Sequence, residues 1–73
     1  MEIYANRGGN SNVESFELGN DFIAVKFKST SKIYVYSYSS AGAYNVYRAK
    51  VLAKDGSGLG SHIMWSMRND FER

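Results

Sequence analysis

The stretch that decides the fold of the C-terminal half is Leu52-Ala53-Lys54-Asp55-Gly56-Ser57-Gly58-Leu59-Gly60-Ser61-His62-Ile63. Gly56 follows the last residue of a helical apolar pattern, where helices commonly end on a glycine in the left-handed conformation. Ser61 can cap a second helix. The apolar side of that helix is supplied by Ile63, Met64 and Met67. The stretch therefore predicts a helix, a glycine turn and a second helix.

The first of these helices is predicted from Ala43 to Lys54. Apolar side chains recur along it at helical spacing, so one stripe faces a core: Val46, Ala49, Leu52 and Ala53. Lys50 and Lys54 lie in its second half, which suits the negative end of the helix dipole. Ser39 or Ser40 is the predicted N-cap.

Three segments before this helix alternate in the manner of β-strands. Val13–Leu18 and Phe22–Phe27 are joined by a short Gly-Asn-Asp turn, which predicts an antiparallel hairpin. The third segment, Ile33–Tyr38, is rich in β-branched and aromatic residues. Met1–Tyr4 is either a fourth, edge strand or a disordered start.

The sequence does not decide which side of the third strand points into the core. Either Ile33 and Val35 point into the core, or Tyr34, Tyr36 and Tyr38 do, since both sets are apolar enough. Strands followed by helices predict an α+β domain. We expect an antiparallel β-meander of three strands, or four, followed by two α-helices packed on one face. The domain spans 1–73, with an edge strand and flexible loop in 1–10 and the core in 11–71.

Size and composition exclude several classes. A chain of 73 residues is one small domain, and the absence of cysteine excludes a disulfide framework. One histidine and no thiol make a structural zinc site incompatible with the usual ligand sets, so neither metal nor cofactor is predicted. We see neither a long apolar run nor a secretory signal, and therefore expect a cytoplasmic protein that does not enter a membrane.

A first candidate surface joins cations to aromatic rings. The net charge of +2 is mild, but Lys26, Lys28 and Lys32 can cluster around one hairpin, beside the tyrosines of the third strand. Aromatic rings on a sheet that is rimmed by cations can stack bases and neutralise phosphates. RNA or DNA is therefore one predicted partner, with Tyr34, Tyr36 and Tyr38 as the stacking groups. The alternative is that the tyrosines complete the core and the lysines are simply solvated.

A second candidate surface is an aromatic stripe on the first helix. Tyr44, Tyr47 and Val51 are offset from the core-facing stripe, and Trp65 on the last helix can extend them. Exposed aromatic side chains are favoured at protein interfaces. A protein partner, or a second copy of the chain, is the other predicted partner. The alternative is that these residues wrap the edge of a small core.

Catalysis has little support in the sequence. His62 is the sole histidine, and Asp55, Ser57 and Ser61 lie close to it in the chain. A Ser-His-Asp constellation is assembled across a fold and recognised by its geometry, which adjacency on one turn rarely supplies. We therefore predict no enzyme, with His62 as the residue whose replacement would test the exception.

The pattern between Ser11 and Phe71 also resembles a known family. The residues that carry the resemblance are Asn10-Ser11-Asn12-Val13, Phe16-Glu17-Leu18-Gly19, Ile23-Ala24-Val25-Lys26-Phe27, Tyr34-Val35-Tyr36 and the glycine-rich stretch quoted above. They are similar to the KTSC domain, which occurs at the C-terminus of some lysyl-tRNA synthetases and as stand-alone proteins of bacteria and phages. The resemblance implies a β-β-β-α-α fold, semi-buried Tyr34 and Tyr36, and no catalytic residues to transfer.

The sequence thus predicts a small, non-catalytic binding module. The resemblance associates it with RNA or DNA, whereas the tyrosine stripe favours a protein contact. In the second case the module, encoded by a phage or mobile element, would bind a host protein or itself.

Overall fold

The computed structural model describes residues 1–9 and 11–72. Asn10 and Arg73, which end the predicted loop 1–10 and the predicted domain 1–73, lie outside the described residues. The strands are β1 (Glu2–Ile3), β2 (Val13–Leu18), β3 (Phe22–Phe27) and β4 (Ile33–Ser37). The helices are α1 (Tyr38–Ala41), α2 (Ala43–Asp55) and α3 (Leu59–His62), and α3 continues as a π-helix over Ile63–Met67.

The predicted α+β class is confirmed, and the sheet has four strands. They pair antiparallel in the order β1-β2-β3-β4, which is a simple meander. Of the two alternatives for Met1–Tyr4, an edge strand or a disordered start, the edge strand is the one observed, and it consists of the two residues of β1. Glu2 pairs with Phe16, and Ile23 pairs with Tyr36.

The two faces of the sheet differ because successive side chains of a strand point to opposite sides. We call the side carrying Ile23 and Val25 the covered face, since the helices pack on it. Their partners on β4 are Tyr36 and Tyr34, so the tyrosines of β4 point inward. Ile33 and Val35 lie on the other side, the open face, where Ile33 is 45% exposed.

The core lies between the covered face and the helices. α2 contributes Val46, Ala49 and Ala53, and the last helical segments contribute Leu59, Ile63 and Met67. Full burial of a side chain of the Val, Leu or Met type stabilises a fold by about 1.5–3 kcal/mol. Because small alanines face the sheet from α2, the helix can approach it closely.

Polar contacts tie the C-terminal half of α2 to loops of the sheet layer. Lys50 Nζ donates to Gly19 O at 2.6 Å and to Asn20 O at 3.1 Å, in the turn between β2 and β3. At the last residue of the helix, Arg7 Nε donates to Asp55 O at 2.6 Å. The second half of α2 is therefore anchored to two loops.

The predicted end of α2 is confirmed. Gly56 has a φ of 80°, and its N–H donates to the carbonyls of Leu52 and Ala53. A Cβ at this position would meet Ala5 Cβ at 2.7 Å, so both conformation and space favour glycine.

The predicted N-caps are wrong, although α2 begins at Ala43 as predicted. The chain leaves β4 one residue early, because Ser37 caps α1: Ser40 N donates to Ser37 Oγ at 3.1 Å, and Ser37 N donates to Ser40 Oγ at 3.0 Å. This capping box makes Tyr38 the first residue of α1 instead of the last residue of a strand. Gly42 is the N-cap of α2.

The last helix also starts earlier than Ser61. Gly58 is its N-cap, and Leu59 N donates to the hydroxyl of Tyr4 at 3.2 Å. Ser61 lies inside α3, because a side chain from the opposite end of the sequence replaces the capping serine.

Candidate binding cleft

A cleft of about 960 Å³ opens between the π-helix and the adjoining ends of β3 and β4. Aromatic side chains supply much of its wall: Tyr4, Phe27, Tyr34, Tyr36, Trp65 and Phe71. Clefts of this volume hold ligands of the size of a few nucleotides or a drug-like molecule. It is the feature of the described residues that best combines shape with chemistry.

The floor of the cleft is a series of aromatic rings packed edge to face. The Phe27 and Tyr34 ring centroids are 5.7 Å apart, and those of Tyr34 and Phe71 are 4.9 Å apart. Phe71 also approaches Tyr36, at 6.2 Å. Such pairs contribute about 0.5–1.5 kcal/mol each beyond their buried area.

The cleft carries positive charge at its border. Lys32 Nζ lies 4.8 Å from the ring centroid of Tyr34 and 5.0 Å from that of Phe71. The exposed Arg68 lines the cleft from the helical side. Within the part of the chain that the structure describes, no aspartate or glutamate lines the cleft. An anion entering it therefore meets cations and neutral polar groups.

The helical wall is built by the π-helix. A π-helix is rare and often marks a functional site, because its wider turn displaces side chains from their usual spacing. Ile63 and Met67 stay buried, while Met64 and Trp65 remain exposed at the cleft, Trp65 at 89%. An indole so open to solvent on an ordered element is available to pack against a ligand.

Polar contacts fix the opposite rim. Asn6 Oδ1 accepts from Ser11 N at 3.1 Å, and Asn12 Nδ2 donates to Ser29 Oγ at 3.1 Å. The first bond closes the segment between β1 and β2 on itself, and the second ties that segment to the turn between β3 and β4. The rim is thus lined by amides and hydroxyls, which can exchange hydrogen bonds with either charged or neutral ligands.

Tyr36 is the one group of the cleft with a clearly altered acidity. Its burial raises the pKa of the Tyr36 hydroxyl to about 12, with smaller contributions from the nearby Tyr34 and Asp70. Burial has this effect because it penalises the charged phenolate. Tyr36 therefore stays neutral at any physiological pH and serves the site as a structural group.

The six residues predicted to bind nucleic acid do not share one surface. Lys32, Tyr34 and Tyr36 come together at the cleft. Lys26 lies on the open face, paired with Glu14 at 3.1 Å. Lys28 is exposed just beyond β3. Tyr38 belongs to α1, where its ring lies 5.3 Å from Lys50 Nζ.

Tyr36 corrects the stacking hypothesis further. It is only 1% exposed, so its ring is a core side chain without an open face for a base. Tyr34 is half-buried, as the tyrosines of a strand beneath helices are expected to be. Tyr36 therefore belongs to the core, as the alternative interpretation of the tyrosines predicted. Tyr34 is partly packed against the core and partly lines the cleft.

The residues predicted for a protein interface divide into two groups. Tyr44 and Tyr47 are 73% and 61% exposed, and with Val51 they form a stripe on the side of α2 that faces away from the core. Trp65, by contrast, lines the cleft. The residues that the sequence did not single out are Phe27, Arg68 and Phe71, since the chain gave no sign of the π-helix that brings them to one cleft.

His62 has a structural partner. Its Nε2 donates to Asn45 O at 2.9 Å, and Asn45 Nδ2 donates to Ser66 O at 3.3 Å. The imidazole thus ties the last helix to α2. Over residues 1–9 and 11–72, no hydrogen bond joins His62 to Asp55, Ser57 or Ser61.

The described residues contain neither a candidate metal site nor a candidate membrane span. In 1–9 and 11–72, no three or more His, Cys, Asp or Glu side chains are grouped so that they could hold a metal ion. None of the helices in those ranges has the length and apolar character needed to cross a membrane.

Comparison of the chain with models of known families, with curated proteins and with solved structures gave no match. The similarity to the KTSC domain therefore stays a prediction from the residues. The function proposed below rests on the geometry of the cleft.

Proposed function

We propose that the chain is a non-catalytic module that binds single-stranded nucleic acid, RNA or DNA, in the cleft beside the π-helix. The observation that carries the proposal is a concave surface lined by aromatic rings and Arg68, with Lys32 at its border and no carboxylate in its described lining. Proteins that hold single strands combine the same two elements, a stacking platform and cations that follow the backbone.

Trp65 supplies the platform. Stacking of a base on an aromatic side chain contributes about 1–3 kcal/mol, and it tolerates any sequence because every base has a π-face. The exposed indole can accept a base from solvent without any rearrangement of the core. Arg68 in the wall of the cleft and Lys32 at its border supply cations for the phosphates of the bound strand.

A duplex does not suit this surface. The faces of paired bases are stacked inside the double helix, whereas a cleft with ring walls requires bases that can be splayed out. Unpaired loops, bulges and ends are therefore the proposed targets. In the cytoplasm, which we propose as the location of the module, such segments are abundant in RNA.

The intrinsic fluorescence of Trp65, the sole tryptophan, provides the test. Titration with an eight-nucleotide oligouridine should quench it, and a self-complementary duplex of the same length should not. Two phosphate contacts predict a slope of about −1.4 in log K against log salt, or about seven-fold weaker binding at 200 mM than at 50 mM.

The matched control is another exposed aromatic residue. Trp65→Ala should weaken binding of a labelled oligonucleotide, measured by fluorescence anisotropy, by about five-fold or more, because a stacking contact is lost. Tyr47→Ala removes an aromatic residue that lies away from the cleft and should leave the affinity unchanged. Equal effects of the two variants, or binding that ignores salt, would contradict the proposal.

A second candidate function rests on the stripe of α2. Tyr44, Tyr47 and Val51 recur at intervals of three and four residues on the outer side of an anchored helix, which is the arrangement that helices use for pairing. This surface would bind a protein, either another copy or a host protein. Light scattering over a range of concentrations tests self-association, and Tyr44→Ser with Tyr47→Ser should abolish it.

A further inference from the structure

The segment that follows the π-helix returns to the sheet and places a ring in the cleft. Glu72 N donates to Val35 O at 2.6 Å, beside β4. The preceding residue, Phe71, then lies with its ring against Tyr34, and Lys32 Nζ lies over both rings. Phe71 thus makes an aromatic contact and a cation contact at once.

These are the contacts that an unpaired base would seek in the same place. Tyr34 offers an aromatic surface, and Lys32 offers a cation within reach of both the ring and a neighbouring phosphate. Phe71 has the planar shape of a base but carries no phosphate, and within residues 1–9 and 11–72 Lys32 forms no ion pair. A nucleotide would satisfy both groups.

The segment 68–72 is weakly held. Among the described residues, the Glu72–Val35 bond is the backbone hydrogen bond that joins it to the sheet, and Asp70 N donates only locally, to Met67 O at 3.1 Å. Segments with few backbone hydrogen bonds and an exposed surface open at a low free-energy cost. Phe71 can therefore leave the cleft without unfolding the core.

We propose that Phe71 occupies a subsite for an unpaired nucleobase in the free protein, and that a bound strand displaces it. The proposal rests on the proposed function. The base packs against Tyr34, its phosphate pairs with Lys32, and residues 68–72 swing away from β4. Because the binding-competent state requires Phe71 to leave, the segment lowers the apparent affinity by the fraction of molecules in which the subsite is closed.

The test is whether the substitution Phe71→Ala strengthens or weakens oligonucleotide binding. Phe71→Ala should bind the eight-nucleotide oligouridine about three- to ten-fold more tightly than the wild type, as measured by anisotropy, because the competing ring is gone. Tyr34→Ala should bind it more weakly. Binding by Phe71→Ala that is equal to or weaker than that of the wild type would show that Phe71 is a wall of the site and would overturn the inference.

Two further measurements keep the test decisive if Phe71→Ala fails to fold. Glu72→Pro removes the N–H that donates to Val35 O but keeps the ring, and it should also tighten binding. In the wild type, hydrogen exchange of the Glu72 amide should become faster when the oligonucleotide binds. Unchanged affinity in Glu72→Pro together with unchanged exchange would overturn the inference.

The outcomes separate this inference from the function on which it rests. A wild type that binds oligouridine, with Phe71 variants that do not bind more tightly, refutes the displacement alone. A wild type and Phe71→Ala that both fail to bind any oligonucleotide refute the proposed function, and the displacement with it.

Discussion

The covered and open faces of the sheet come from the same strands and have opposite surroundings. On the covered face, Ile23 and Tyr36 pair across β3 and β4 beneath the helices. On the open face, Lys26 pairs with Ile33 across the same two strands and meets solvent. The cleft occurs where the helical cover ends, so that Tyr34 is half-covered. The cleft therefore lies where the buried covered face meets the solvent-exposed surface.

The largest expected effect compares two isoleucines. Ile23→Ala should lower the free energy of unfolding by about 2–5 kcal/mol, because it leaves a cavity in the core. Ile33→Ala, on the neighbouring strand but on the open face, should cost less than about 1 kcal/mol. Urea denaturation measures both. Similar losses would mean that the open face is also packed against something in solution.

The next effect concerns Tyr36 in alkali. Because its pKa in the folded protein is about 12 and its ordinary value is 10.0, the unfolded chain releases this proton first. The contribution to stability is complete below pH 10.0 and is lost as the pH rises towards 12. The loss is about 2–3 kcal/mol. Tyr36→Phe should lose correspondingly less stability over this interval, and identical profiles would contradict the burial of the hydroxyl.

A smaller loss of stability is expected at Gly56, where the end of α2 packs against the segment between β1 and β2. Gly56→Ala should cost about 1–2 kcal/mol, because alanine disfavours the left-handed conformation and its Cβ would press on Ala5. Gly8→Ala is the control, since a Cβ there meets no atom within 4 Å. It should change the thermal midpoint little. Equal shifts of the midpoint would show that the close approach at Gly56 is relieved without cost.

The smallest effect sharpens the functional difference between the faces. Lys32→Ala should weaken oligonucleotide binding about five-fold, or ~1 kcal/mol. It should also reduce the salt slope by about 0.7, the value for one phosphate of a single strand. Lys26→Ala removes an equal charge from the open face and should alter neither quantity. Anisotropy titrations at three salt concentrations distinguish the two, and the reverse order would move the site to the open face.

Much of the fold could be predicted because its signals are local. Alternation fixed β2 and β3 to the residue, and the 3.6-residue pattern with Gly56 located α2 to within one residue of its end. The strand pattern could not predict the inward side of β4, because Ile33 and Val35 are as apolar as the tyrosines, and only the resemblance implied that Tyr34 and Tyr36 are semi-buried. Only the packing of the helices decides between the two sets.

Most of the cleft could not be predicted from the sequence. Its parts come from β3, β4, the π-helix and the segment after it, so no short stretch contains them. Lys32 and Tyr34 were identified, because a cation two residues from an aromatic strand position is a local pattern. Trp65 was identified as an exposed aromatic residue but assigned to the stripe of α2. A π-helix has no recognisable sequence pattern of its own, and its displaced side chains escape a 3.6-residue count.

The hydrogen bond from Leu59 N to the Tyr4 hydroxyl has a consequence for the order of folding. The two residues are separated by 55 positions, and α3 with its π-helical continuation spans only 59–67. A helix so short cannot persist alone in water, so it must await the arrival of the first strand. We therefore expect this helix to be among the last elements of the domain to form, after Tyr4 has reached the sheet layer.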